Sequence, residues 1–138
     1  MSTPERGQAI GQISVMLVDD NPNVLSAIHE FLKRQTGLIV VGKVADGYQA
    51  LAQVQRLQPQ VIVVDLDMPA MSGLEVIRQL RRTQPGLIVI AFSLYDDEAY
   101  RDQALAAGAH GFVSKITLTR DLLPEIHRTL KDGGRGYN

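Results

Sequence analysis

Five short runs rich in Val and Ile alternate along the chain with five longer stretches whose apolar residues recur at helical spacing. No other feature of the sequence constrains its fold as much. The runs are Ile13 to Val18, Leu38 to Val44, Val61 to Val64, Leu87 to Phe92 and Gly111 to Val113. They are mostly apolar on both faces, as strands covered from two sides must be. Between them, Val24, Leu25, Ile28, Phe31 and Leu32 form a one-sided apolar stripe, as do Ala50, Leu51, Val54 and Leu57, then Leu74, Ile77 and Leu80. A fourth helix, from about Asp96 to Ala107, has a weaker stripe made mostly of Ala, and a fifth uses Leu122, Leu123, Ile126 and Leu130. Breakers punctuate the pattern: Asn21-Pro22 before the first helix, Thr36-Gly37 after it, Pro59 and Pro85-Gly86 ahead of strands, and Gly108 ahead of the fifth.

Strand followed by helix, five times over, predicts parallel strands joined by right-handed crossovers with helices on both faces. The expected fold is a five-stranded, doubly wound α/β sheet, and 138 residues suit one such domain. In sheets of this kind ligands gather at the carboxyl ends of the strands, near the point where strand order reverses.

Composition removes several function classes. Fourteen basic residues against fifteen acidic ones, a net charge of -1, lack the positive excess that nucleic-acid backbones demand. The absence of cysteine excludes disulfides, a thiol nucleophile and Cys-ligated metal. The longest apolar runs, such as Leu87 to Phe92, are far shorter than the ~18 to 20 residues that span a bilayer. Residues 1–12, with Pro4, Glu5 and Arg6, lack the apolar core of a secretory signal, so the expected location is the cytoplasm.

The polar residues that follow the strands carry the chemistry. Strand one runs into Asp19-Asp20 and strand three into Asp65, so three carboxylates converge on one sheet edge. Acids so close repel one another and need a cation or strong hydrogen bonds to stay ionised together. A hard divalent cation such as Mg²⁺ answers that need, because it takes oxygen ligands from one or two carboxylates, waters and a phosphate. Ser93 after strand four offers a hydroxyl at the same edge, and Ser114-Lys115 after strand five offers a cation.

Asp19-Asp20, the run Asp65-Leu66-Asp67-Met68-Pro69-Ala70-Met71-Ser72-Gly73, Ser93, and Gly111-Phe112-Val113-Ser114-Lys115 resemble the receiver domains of response regulators in order and spacing. The resemblance covers roughly residues 13 to 132 and implies a flavodoxin-like strand order 2-1-3-4-5. It leaves 1–12 as a flexible N-terminal tail and 133–138 as a C-terminal tail or the start of a linker. It further implies a phosphorylation-dependent switch. Asp65 would be the phosphoacceptor, while Asp19, Asp20, Asp65 and the backbone carbonyl of Asp67 would hold Mg²⁺. Lys115 and Ser93 would each bind a phosphoryl oxygen, and the Ser93 contact would draw the strand-four loop inward so that Phe112 changes rotamer. Such a domain is not an enzyme in its own right beyond phosphoryl transfer to itself and slow loss of the group. The chain departs from the common pattern at Phe112, where Tyr is frequent, and at Ile116, where many receivers have Pro. Asp67 and Tyr95 stand at the two positions that tune phosphoryl loss in the family.

Pro69 and Gly73 are expected to shape the loop after strand three, Met68 and Met71 to pack, and the dispersed His29, His110 and His127 to play no catalytic part. The alternatives are a degenerate or stand-alone receiver used for docking, a flavin or metabolite binder, and a phosphatase-like hydrolase. A flavin binder would want a phosphate-cradling loop where Asp19-Asp20-Asn21-Pro22 stands, and a hydrolase would want a cap. Arg120 to Ile126 followed by Lys131 to Tyr137 resembles the last helix and linker start of receivers joined to a LuxR-type helix-turn-helix. The resemblance thus implies a transcription regulator that meets DNA only through a C-terminal domain absent from these residues. Its phosphodonor would be a sensor histidine kinase or phosphotransfer protein docking near helix one. The output surface would be helix four, strand five and helix five, with room for a homodimer there.

Overall fold

A computed structural model describes residues 11–133. Of the expected tails, only Gly11, Gln12 and Gly133 lie among the described residues. The elements alternate without exception: β1 (Ile13–Val18), α1 (Pro22–Lys33), β2 (Leu38–Val44), α2 (Gly47–Leu57), β3 (Val61–Asp65), α3 (Gly73–Thr83), β4 (Ile88–Ser93), α4 (Glu98–Ala107), β5 (Gly111–Ser114) and α5 (Leu118–Gly133). All neighbouring strands are parallel, in the order β2-β1-β3-β4-β5. This is the doubly wound, flavodoxin-like arrangement that the sequence predicts. The chain steps outward from β1 to β2 and then crosses back to β3, so order reverses between β1 and β3.

Strand periodicity divides the core into two layers. Met16, Val18, Ile62, Val64, Val89 and Ala91 face α2, α3 and α4, where they meet Ala50, Val54, Val76, Ile77, Leu80 and Ala104. Val15, Leu17, Val61, Val63, Ile90 and Phe92 face α1 and α5, where they meet Ile28, Leu32, Leu122 and Ile126. Each fully buried Val, Leu, Ile, Met or Phe side chain in these layers contributes about 1.5–3 kcal/mol. The helix starts are capped by the polar residues just before them. Asn21 Oδ1 accepts from the amides of Asn23 and Val24, Asp46 from Gln49, Ser72 from Glu75 and Asp97 from Tyr100.

Four elements differ in their boundaries from the sequence reading, each for a structural reason. β3 and β5 run one residue further, to Asp65 and Ser114, and β4 is shifted by one residue, to Ile88–Ser93. The parallel ladder still pairs Asp65 with Phe92 and Ser93 with Ser114, so these polar residues end strands instead of beginning loops. α4 begins at Glu98 because Asp97 is its cap. β2, expected to be covered on both sides, is an edge strand and only Leu38 and Val44 are buried in it. Among the described residues no helix is long and apolar enough to cross a membrane.

Candidate functional site at the carboxyl edge of the sheet

β1 and β3 are the two central strands that flank the reversal point, and their ends carry the acids. Asp19 follows β1 directly, its amide still bonded to the carbonyl of Val44, and it is fully buried. Its Oδ1 accepts from the amide of Asn21 at 2.8 Å. Asp65 ends β3 at 1% exposure, and its Oδ1 accepts from the amide of Asp67 at 2.9 Å. Asp20 is exposed at the mouth. One oxygen from each of Asp19, Asp20 and Asp65 lies within 4.8 Å of the others, the one such acidic cluster among the described residues.

Lys115 reaches into this cluster from the end of β5. Its backbone amide donates to the carbonyl of Ser93 at 2.8 Å, extending the β4–β5 ladder by one bond. Its Nζ lies 3.0 Å from Asp19 Oδ2 and 3.0 Å from Asp65 Oδ1, and 5.0 Å from the centre of the Phe92 ring. Burial works against the charge on Lys115, yet the two carboxylates outweigh it and hold the ammonium above its usual pKa. Asp65 goes the other way. Burial raises its pKa, the Asp67 amide and Lys115 pull it down, the charge on Asp19 pushes it up, and the balance stands at about 6. Its Oδ2 is buried with no hydrogen-bond partner among the described residues, so one oxygen of the pair has uncommitted lone pairs.

Such an all-oxygen set, with a buried acceptor left unsatisfied, suits a hard divalent cation. α3 fits tightly behind it. A Cβ on Gly73 would collide with the carbonyl oxygen of Asp65 and lie 2.6 Å from Leu66 Cα, so only glycine lets the helix start against the strand end. Met68 is buried, and Met71 packs on the core from a partly buried position, as the sequence suggests.

Ser93 is brought to the same edge and is fully buried, but its hydroxyl is already committed. It donates to Asp67 Oδ2 at 2.9 Å and accepts from the amide of Tyr95 at 2.9 Å. The other oxygen of Asp67 accepts from the phenol of Tyr100 at 2.9 Å. Burial, then the bond to Asp67, pushes the Tyr100 phenol up to about 12. Phe112 is buried in the layer facing α4, with the guanidinium of Arg101 stacked 4.6 Å from its ring centre and tied to Asp96 at 2.6 Å. Ile116 is 77% exposed, and no peptide bond among the described residues is cis. The described histidines form no metal-ligand group; His110 instead accepts the amide of Val89 on Nδ1 at 3.0 Å.

Tyr100 is the residue that the sequence does not single out. Its only local signal is one polar-tipped aromatic in a helix whose inward stripe is otherwise Ala.

Comparison with known proteins agrees with this geometry. The sequence profile of the family described as response regulator receiver domain matches residues 15–127. The nitrate/nitrite response regulator protein NarL of Escherichia coli strain K12 is 30% identical over 115 residues, 83% of this chain and 53% of that protein. The transcriptional activator protein ExaE of Pseudomonas putida is 36% identical over 125 residues, 91% of this chain and 58% of that protein. The chain thus spans little more than half the length of these relatives. Among solved structures, a LuxR-family two-component response regulator from Aurantimonas sp. SI85-9A1 superposes with a TM-score of 0.83 at 29% identity, covering 87% of this chain and 86% of that one.

Proposed function

The chain belongs to the response regulator receiver domain family, and from that premise we propose that it is a phosphorylation-driven signalling switch with Asp65 as its phosphoacceptor. A carboxylate oxygen of Asp65 attacks the phosphorus of a donor, a new O–P bond forms, and the bond from phosphorus to the donor breaks. The observation that carries this reading is the pairing of Lys115 with the buried Asp65, 3.0 Å apart, beside a second buried acid. Phosphoryl transfer asks a protein mainly for position and charge neutralisation, and these groups supply both. With an ordinary pKa raised only to about 6, Asp65 is mostly ionised and nucleophilic at neutral pH.

Asp19, Asp20 and Asp65, with the backbone carbonyl of Asp67, are the residues that would hold Mg²⁺, which would supply positive charge beside the phosphoryl oxygens. Lys115 neutralises one phosphoryl oxygen, and Ser93 turns its hydroxyl to another. Phe112 responds from under Arg101, carrying the change to the face formed by α4, β5 and α5. Residues 13–132 make up the switching unit. Its phosphodonor is a sensor histidine kinase or phosphotransfer protein, and a homodimer fits the same face. ExaE, named as a transcriptional activator, supports an output in transcription, with DNA reached through a separate domain.

Incubation with Mg²⁺ and acetyl phosphate, followed by intact mass, tests the reading. Wild type gains one base-labile phosphoryl group, and Asp65→Asn or chelator abolishes the gain. A folded wild type that gains nothing from any donor would refute it in favour of a degenerate docking receiver.

A further inference from the structure

We propose that Tyr100 is a positioning residue of this site, a latch that ties α4 to the unphosphorylated state through Asp67. The inference rests on the reading of Asp65 as phosphoacceptor. Two hydroxyls from different elements converge on one carboxylate: Ser93 Oγ on Asp67 Oδ2 and the Tyr100 phenol on Asp67 Oδ1, each at 2.9 Å. Ser93 ends β4, whereas Tyr100 lies in the first turn of α4, where its own amide is held by the cap Asp97 at 2.8 Å. The phenol and the cap therefore fasten the same helical turn at both ends of one residue. The ring also meets Tyr95 edge-on, with centres 6.0 Å apart.

A serine hydroxyl has one proton to donate. It serves either Asp67 or a phosphoryl oxygen on Asp65, not both. When it turns to the phosphoryl group, Asp67 loses a donor and faces added negative charge two residues away. Its carboxylate is driven off, and the bond to Tyr100 goes with it. α4 feels this more than any other helix, because it buries only Ala104, whereas α3 buries Val76, Ile77 and Leu80. A charge-assisted hydrogen bond is a large part of what holds so weakly anchored a turn. Tyr100 thus stabilises the resting arrangement and resists phosphorylation, and its release is what frees α4.

Beryllium fluoride with Mg²⁺, a reversible stand-in for the phosphoryl group, gives an equilibrium test followed by amide NMR shifts. Tyr100→Phe removes only the hydroxyl and is expected to lower the half-saturating fluoride concentration about tenfold. In an Asp67→Ala background the same change is expected to have no effect, since the hydroxyl then has nothing to hold. In wild type, the amides of Tyr100 and Arg101 are expected to exchange several-fold faster once the fluoride is bound. Equal affinities for wild type and Tyr100→Phe would overturn the latch while leaving the phosphoacceptor reading intact. So would an effect that persists without the Asp67 carboxylate, or exchange that is unchanged or slower on binding. Absence of any binding to wild type would remove the phosphoacceptor reading and the latch together.

Discussion

Lys115 Nζ lies 3.0 Å from Asp65 Oδ1, and the same ammonium lies 3.0 Å from Asp19 Oδ2, so one half-buried cation serves two acids that solvent scarcely reaches. The buried part of the site is short by one positive charge, and the exposed Asp20 adds a second negative charge beside it. That deficit links its stability, its affinity for cations and its chemistry.

Removing the cation should expose the deficit. Lys115→Met leaves Asp19 and Asp65 buried without a counter-charge, and is expected to cost about 3–5 kcal/mol at pH 7.5. Urea unfolding measures it. The loss should shrink when Mg²⁺ is added and again at pH 5, where Asp65 takes up a proton; a loss independent of both would contradict this account.

The pH dependence of Asp65 has a definite sign. Its pKa in the fold, about 6, lies above the ordinary 3.8, so the folded state binds the proton more tightly than the unfolded chain. The stability this contributes is complete below about pH 4 and is lost as pH rises through about 6. Asp65→Asn, which cannot ionise, should therefore be more stable than wild type at pH 8 by about 2–3 kcal/mol in the absence of Mg²⁺. Unfolding curves of the two proteins should converge toward pH 4.

His110 titrates with the opposite effect. Burial first, then the charges of Arg81 and Arg128, hold its pKa below the usual histidine value of 6.5. Its Nδ1 must stay unprotonated to accept the amide of Val89. This contribution is present above pH 6.5 and lost as pH falls through the lower value in the fold. In the Asp65→Asn background, where the competing titration is gone, stability should decline from pH 7 to pH 5. His110→Leu should flatten that decline and cost about 1–2 kcal/mol at pH 8 through the lost acceptor.

Gly73→Ala tests the fit of α3 behind the acids. The added methyl meets the Asp65 carbonyl and Leu66 Cα, both backbone, so the helix must move. A cost of about 1–3 kcal/mol is expected by urea unfolding. Slower phosphoryl uptake from acetyl phosphate should accompany it, because the displaced strand end carries Asp65.

The edge of the sheet was legible in the sequence for a simple reason. A parallel strand buried on both faces is an unbroken apolar run, and the polar residues after it mark the strand's carboxyl end. Asp19, Asp65, Ser93 and Lys115 all follow such runs, so their convergence could be read from order alone. The need for glycine at residue 73 could not, because it depends on a carbonyl eight residues earlier pressing on the start of α3. Nor could the half-cover of β2, since Val40 and Val41 look like the residues of a central strand.

By itself the sequence determined the alternation of strands and helices, the break at Asn21-Pro22 ahead of the first helix, and the gathering of acids and a lysine at one edge. These follow from short-range periodicity and from which residue types end a strand. Only the tertiary structure decided where each side chain's hydrogen bonds go. It turned Ser93 toward Asp67, brought Tyr100 from the next helix onto the same carboxylate, and stacked Arg101 over Phe112. Those pairings join residues as far as 33 positions apart, and they depend on the approach angle of α4 to the sheet. That angle is set by packing across the whole layer, and no local pattern in the chain encodes it.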